Sequence, residues 1–138
     1  MKKKYENFDW GSSNQWFKDV ISGEFFDMEK NIYESIFEVE ENDVVMDVGA
    51  SIGPFSYCLK DRNIKHLYAI EPSESQIKVL SNNIKDIPHT IIPNVINDKD
   101  LKIYDNFGES GEEKLVSSKT FMSIVEENNI TVIDFLKT

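Results

Sequence analysis

The feature that most constrains the fold is a short apolar run, residues 44–48, that leads into a turn bracketed by Gly49 and Gly53. A second apolar run, residues 66–70, ends at Glu71 and Pro72. Glycine allows a tight turn and a close approach to a ligand because it carries no Cβ. Glu71 follows Gly53 by eighteen residues, close to the offset of about 20 at which an acidic side chain binds a ribose in nucleotide-binding α/β folds. The two blocks therefore predict one half of a nucleotide-type site.

The rest of the chain alternates apolar runs with helical patterns, as parallel α/β sheets do. Pro54 stands at the favoured first position of a helix over 54–60, and Ser73 is the predicted N-cap of the next helix. Pro93 interrupts a strand over 90–96, which places that strand at a sheet edge. The pattern is completed by a weak strand over 101–104, a polar loop over 107–118, a helix over 120–127 and a strand over 131–137. Right-handed crossovers then predict an α/β fold, a Rossmann-like parallel sheet of order 3-2-1-4 with its ligand crevice at the carboxyl ends.

The N-terminal part is predicted to be helical. Residues 1–43 would form a helical segment and residues 44–138 a partial α/β core, together one structural domain. One helix is expected after Ser12 and Ser13, with an apolar face formed by Trp16, Phe17, Val20 and Ile21. A second is expected after Asp27, with an apolar face formed by Met28, Ile32, Tyr33, Ile36 and Phe37.

The charge and the cysteine content limit the partners and the compartment. A net charge of −10 and a pI near 4.6 disfavour nucleic acids and anionic membrane surfaces as partners. No apolar run in the sequence approaches the roughly 20 residues of a membrane span, and no His or Cys spacing fits a metal site. The lone Cys58 cannot form an internal disulfide, which suits a cytoplasmic protein, and its apolar helix face predicts a packed thiol.

Two ligands compete for the turn over 49–53. A dinucleotide favours Gly-x-Gly-x-x-Gly, but this turn reads Gly-x-x-x-Gly, with Ile52 and Pro54 where a pyrophosphate needs small residues or free N–H groups. Asp47 would repel phosphate and attract a cation, such as the sulfonium or amino group of S-adenosylmethionine. The residues therefore favour S-adenosylmethionine over NAD, and a dinucleotide-binding fragment is the weaker alternative.

Three segments carry a resemblance to a known family: VMDVGASIGPFS over 45–56, AIEP over 69–72 and NNI over 82–84. From about residue 24 onward, including IDFLK over 133–137, the chain resembles the FkbM family of S-adenosylmethionine-dependent methyltransferases. The resemblance implies a class I Rossmann-like fold and O-methylation of a sugar or another small hydroxylated metabolite. The family's first motif has asparagine where this chain has Ser51, so the turn is expected to be somewhat strained or shifted.

The resemblance also implies which residues bind S-adenosylmethionine. The turn after Asp47 would hold the methionine part, Glu71 the ribose hydroxyls, and Asn94 would lie near adenine. The predicted cofactor-binding residues are Asp47, Gly49, Ala50, Ser51, Gly53, Glu71, Pro72 and Asn94. The sequence identifies no catalytic base and predicts no metal ligand.

The closing segment departs from the family pattern. In the family, the strand matching 133–137 continues into an Asp-x-Glu-Gly segment and further strands that complete the acceptor pocket. Relative to that pattern, the chain is predicted to be C-terminally truncated, with little or no turnover and a homodimer formed through the exposed strand 131–137. A non-catalytic cofactor-binding or interaction module remains the alternative function.

Overall fold

The computed structural model describes residues 5–27, 29–105 and 113–138, with 103–105 described by their backbone only. A four-stranded parallel sheet forms its centre. The strands are β1 (Val44–Val48), β2 (His66–Ile70), β3 (His89–Ile92) and β7 (Phe135–Lys137), in the order β3-β2-β1-β7. Every neighbouring pair is parallel, so the carboxyl ends of the strands lie along one edge of the sheet. This confirms the predicted α/β fold and the order 3-2-1-4, although the last strand is shorter than predicted.

Apolar side chains pack on both faces of this sheet. Val45, Leu67 and Ala69 belong to a buried cluster on one face, whereas Met46 and Ile70 belong to a second cluster on the other face. The alternation follows from the two-residue period of a strand. The first cluster includes the residues of the N-terminal segment and of the helices that follow β1 and β2, and the second includes those of the last helix. The sheet is therefore covered by helices on both faces.

The described residues form four α-helices, one before β1 and three between strands. They are α1 (Gln15–Ile21), α2 (Pro54–Tyr57), α3 (Glu74–Asn83) and α4 (Phe121–Glu127). Pro54 is the first residue of α2, and Ser73 caps α3 by accepting a hydrogen bond from the Gln76 amide at 3.3 Å, both as predicted. Thr120 caps α4 in the same manner, through the Ser123 amide at 3.1 Å. The helix over 54–60 is shorter than expected, because α2 ends at Tyr57.

A second sheet of three strands stands beside the first. It contains β4 (Val95–Ile96), β5 (Leu101–Asp105) and β6 (Lys114–Lys119), in the order β4-β6-β5. The strand predicted over 90–96 is therefore divided at Pro93 into β3 and β4, which belong to different sheets. The predicted loop over 107–118 is wrong from residue 114 onward, where β6 pairs antiparallel with β5. Residues 107–112 of that loop lie outside the described residues.

The N-terminal segment is less helical than predicted. Helix α1 is present after Ser12 and Ser13, as expected, and Asn14 caps it by accepting from the Phe17 amide at 2.9 Å. A π-helical turn, Ser22–Phe26, follows, and the second predicted helix is wrong: a 3-10 turn, Ile32–Glu34, takes its place. The reason lies in Glu34, whose buried carboxylate accepts from the Asn31 side chain and the Val39 amide and leads the chain out of a helical path. Met28 lies outside the described residues, and Ile36 and Phe37 are exposed.

Candidate functional site

Three of the predicted cofactor-binding residues lie together at the carboxyl edge of the parallel sheet. Gly49 directly follows β1, and Glu71 directly follows β2. Asn94 is the second residue after β3, with Pro93 between them. Strand order places β1 next to β2 and β2 next to β3. In open α/β sheets the ligand crevice lies at this edge. The predicted methionine, ribose and adenine contacts are therefore ordered along the edge as one extended ligand requires.

The turn after β1 is built from left-handed backbone. Gly49, Ser51 and Gly53 have φ of 67°, 55° and 86°. The Ala50 amide donates to the Ile70 carbonyl at 3.0 Å, which fastens the turn to the end of β2. Ser51 is the residue for which the sequence predicted strain, and it does occupy a conformation that costs an L side chain roughly 1–2 kcal/mol.

The two glycines of the turn have different reasons to be glycine. A Cβ on Gly49 would meet nothing within 4 Å, so this position faces open space. A Cβ on Gly53 would lie 2.7 Å from Leu80 Cδ1, so this position is filled by α3. Close approach of a ligand is therefore possible at Gly49. Gly53 serves the packing of the turn on α3, and its predicted cofactor role remains a prediction.

Glu71 joins the turn to α3. Its carboxylate oxygens accept from the Ser51 amide at 2.7 Å and from the Ser73 amide at 2.9 Å. Pro72, which lies between Glu71 and Ser73, has no N–H and therefore needs no acceptor there. Glu71 is 5% exposed, so a ligand would meet it at the floor of the site.

Asp47 is not open to the crevice in this structure. Its carboxylate is 0% exposed and accepts from the Ser56 hydroxyl at 2.6 Å, while Oδ1 lies 3.0 Å from Lys137 Nζ. Burial raises the pKa of Asp47 above its ordinary value, and the charge of Lys137 and the hydrogen bond from Ser56 offset part of that rise. The cation beside Asp47 is therefore one that the protein itself supplies.

Lys137 is the residue of this site that sequence reasoning missed. It pairs with Asp47 in the register of β7 against β1, so the two side chains lie on the same face of adjacent strands. Its ammonium donates to the carbonyls of Val48 at 3.1 Å and Gly49 at 3.0 Å. The available signal was a lysine near the end of an otherwise apolar strand, where a buried cation requires a carboxylate partner.

Asn94 presents a buried acceptor without a donor. Its Oδ1 atom accepts no hydrogen bond from any residue that the structure describes, although it is shielded from solvent. A buried amide oxygen ordinarily has a partner, because leaving it unpaired costs about 1–3 kcal/mol. A ligand that donates a hydrogen bond, such as the amino group of adenine, would reach this oxygen only after the Asn94 side chain turns.

A second buried polar cluster lies at the opposite edge of the sheet. Glu34 accepts hydrogen bonds from two nitrogens of Arg62, which stands just before β2. A cavity of about 430 Å³ adjoins this cluster and is lined in part by Phe25, Phe26 and Tyr57. Cys58 also lines it, and its thiol donates to the Pro54 carbonyl at 3.3 Å. None of the predicted cofactor residues lines this cavity.

Residues 5–27, 29–105 and 113–138 contain neither a membrane-spanning helix nor a cluster of metal-binding side chains. Within these ranges no helix is long and apolar enough to cross a membrane. Within the same ranges, no group of three His, Cys, Asp or Glu side chains converges as a metal site would require.

Comparison with known proteins gives one informative similarity. No protein-family model matches the chain. Over 71 residues the chain is 38% identical to tRNA (guanine(37)-N(1))-methyltransferase Trm5b of Methanocaldococcus jannaschii. The match includes 50% of this chain and 20% of that protein, so the chain spans about a fifth of the length of the curated relative it matches. The similarity is to a methyltransferase, and it does not single out the FkbM family. Together with the order β3-β2-β1-β7, it identifies the fold as Rossmann-like, of the methyltransferase kind.

Proposed function

We propose that the chain binds S-adenosylmethionine at the carboxyl edge of its parallel sheet and forms the cofactor-binding part of a methyltransferase. The observation that carries this proposal is the open, left-handed Gly49, which lies on the same edge as the unpaired acceptor of Asn94. The similarity to a methyltransferase supports it from an independent direction.

Each part of the cofactor would have a residue suited to it. The backbone at Gly49 allows the methionine part to approach, Glu71 accepts from the ribose hydroxyls, and Asn94 Oδ1 accepts from the adenine amino group. When bound, the cofactor supplies an electrophilic methyl group. The chain's own contribution is to hold that group in one orientation, because alignment of the reactants provides much of the rate in such transfers.

The methyl acceptor follows from the family resemblance. We propose a hydroxyl group of a sugar or another small metabolite, as in the FkbM family. The alternative is a guanine base in RNA, suggested by the name of the similar protein. The net charge of −10 disfavours that alternative for this chain, since RNA binding relies on positive charge.

Calorimetry of the purified chain tests the proposal. S-adenosylmethionine and its product S-adenosylhomocysteine should both bind, and NAD should not. Asn94→Ala should weaken the binding of both by about five- to tenfold, the effect of one lost hydrogen bond in a buried site. Asn97→Ala is the matched control, because Asn97 is exposed and follows β4. Tight binding of NAD, with none of S-adenosylmethionine, would overturn the proposal.

Transfer of a labelled methyl group separates the two classes of acceptor. Label from S-adenosylmethionine should pass to a small hydroxylated acceptor and not to a tRNA transcript. Label in the transcript would favour the alternative, and binding without transfer to either class would favour the non-catalytic module.

The predicted homodimer remains a proposal. Val132 and Leu136, in the segment 131–137, are each about half exposed, which leaves apolar surface for a second copy. Sedimentation at tens of micromolar should show a dimer, and a single monomeric species would contradict it.

A further inference from the structure

The ammonium group of Lys137 holds the end of β1 in place. It donates hydrogen bonds to the carbonyls of Val48 and Gly49, and it forms an ion pair with Asp47, whose Oδ1 lies 3.0 Å from Nζ. Two of its three N–H donors are therefore engaged by the backbone, and the ion pair is the third contact. Lys137 is 9% exposed, so water has little access to replace any of them.

These contacts connect two distant parts of the sequence. Lys137 is the last residue of β7, whereas Gly49 opens the turn proposed to hold the cofactor. The Gly49 carbonyl is directly constrained by Nζ, and the next amide along the turn is constrained by the bond from Ala50 to Ile70. The turn is thus fixed from both neighbouring strands, by a side chain of β7 and by the backbone of β2.

The same ammonium changes the electrostatics of the site. An isolated Asp47 carboxylate would attract the positive charge of S-adenosylmethionine. Beside Lys137, the two opposite charges lie 3.0 Å apart, and their sum is zero. A ligand in the crevice therefore meets a dipole and not a net negative charge. Such a pair gives little preference for the sulfonium of S-adenosylmethionine over a neutral sulfur.

We propose that Lys137 is a positioning residue for the cofactor turn, and that the Asp47–Lys137 pair determines the shape of the turn without recognising the cofactor's positive charge. This inference rests on the proposed function, because it assumes that the cofactor binds at Gly49. It reverses the role that the sequence suggested for Asp47. The carboxylate holds Lys137, and Lys137 holds the turn.

Paired ligands distinguish shape from charge. S-adenosylmethionine carries a sulfonium, and S-adenosylhomocysteine is the same molecule without the methyl group and the positive charge. If the pair acts on shape, Lys137→Met weakens the binding of both by about ten- to thirtyfold, as expected for the loss of two hydrogen bonds that fix the turn. The ratio of the two dissociation constants then stays within about twofold of the wild-type ratio, because twofold corresponds to well under 1 kcal/mol.

Two companion variants separate positioning from stability. Lys137→Met leaves Asp47 buried without its cation, whereas the double variant Asp47→Asn/Lys137→Met removes that charge as well. The double variant should regain most of the thermal stability and still bind both ligands about tenfold more weakly than the wild type, since the carbonyls remain unconstrained. If Lys137→Met does not fold, the affinities of the double variant test the inference in its place. Lys78→Met, at an exposed position of α3, is the matched control and should behave as the wild type.

Hydrogen exchange provides a readout that needs no ligand. In the double variant, the amides of Ala50 and Ser51 should exchange about tenfold faster than in Lys78→Met, because local opening of the turn becomes easier. Unchanged exchange together with unchanged affinities would overturn the inference, and so would a selective loss of S-adenosylmethionine binding. If the wild type binds neither ligand, the proposed function fails by itself, and the exchange rates still decide whether Lys137 positions the turn.

Discussion

Two ion pairs with fully buried carboxylates stand at opposite edges of the parallel sheet in the part of the chain that the structure describes. At the amino edge, Glu34 pairs with Arg62, and at the carboxyl edge, Asp47 pairs with Lys137. Glu34 accepts from Arg62 through both of its oxygens and also from the Val39 amide at 2.8 Å. Asp47 has one aligned hydrogen bond, from Ser56, and otherwise meets only the lysine.

The two ion pairs differ in how completely their carboxylates are hydrogen-bonded, which separates a structural pair, Glu34–Arg62, from a pair at the proposed site, Asp47–Lys137. A buried carboxylate is tolerated when its lone pairs are filled, and Glu34 meets that condition within its own neighbourhood. Asp47 does not, and its lysine is shared with two backbone carbonyls beside an open glycine. The carboxylate at the amino edge is therefore fully bonded within its own neighbourhood, whereas the one at the carboxyl edge is incompletely bonded and lies next to an open glycine. The predictions below test this contrast.

The largest effect is expected at the amino edge. Glu34→Gln should lower the free energy of unfolding by about 3 kcal/mol, because it leaves Arg62 without its counter-charge. The value lies at the low end for buried pairs, since the Arg62 side chain is 31% exposed. Chemical denaturation measures it. Glu38→Gln is the matched control, because Glu38 forms an exposed pair with Lys30 and should contribute almost nothing. Equal midpoints for the two variants would show that the amino edge is not held by Glu34.

The two glycines of the turn should respond differently to the same change. Gly53→Ala should cost about 2–3 kcal/mol of stability, from left-handed strain together with the clash with Leu80. Gly49→Ala should cost about 1–2 kcal/mol from strain alone, and it should also weaken S-adenosylmethionine binding, because its methyl group projects into open space. Denaturation and calorimetry on both variants test this. The reverse pattern would show that the crevice opens at Gly53.

Glu71 should affect binding more than its neighbour Ser73 does. Glu71→Ala should weaken S-adenosylmethionine binding by about 1.5–3 kcal/mol, the value of a lost charge-assisted hydrogen bond. Ser73→Ala removes the cap of α3 and should cost about 1 kcal/mol of stability with little change in affinity. Calorimetry on the folded variants measures the difference. Wild-type affinity in Glu71→Ala would exclude Glu71 as the ribose ligand.

The smallest effect concerns the strained serine of the turn. The other non-glycine residues with positive φ in the described part are Asn42, Asn63 and Asn129, so Ser51 is the exception. Ser51→Asn should raise the free energy of unfolding by about 0.5 kcal/mol, because asparagine tolerates this conformation better. The matched control is Ser81→Asn in α3, which should give no gain. A loss of stability in Ser51→Asn would mean that the serine side chain, and not the backbone, decides this position.

Local sequence was enough to predict the elements whose pattern is strong. The strands β1 and β2 and helix α4 lie close to their predicted bounds, because a buried strand or a capped amphipathic helix records its environment in adjacent residues. The second N-terminal helix failed for the opposite reason. Its apolar spacing fits a helix, but a buried Glu34 bound to Arg62 across 28 residues outweighs that local preference.

The sequence by itself determined the glycine turn and the positions of Glu71 and Asn94 at strand ends, because each depends on residues near one another in the chain. It also determined the order of the sheet, because parallel strands joined by helices follow the right-handed crossover rule. Tertiary structure alone decided which groups surround these residues. It placed Lys137 beside Asp47 across 90 residues of chain, filled the space at Gly53 with Leu80, and left the space at Gly49 open. Charge pairing and packing act between groups that folding brings within a few ångströms, and spacing along the chain does not contain that information.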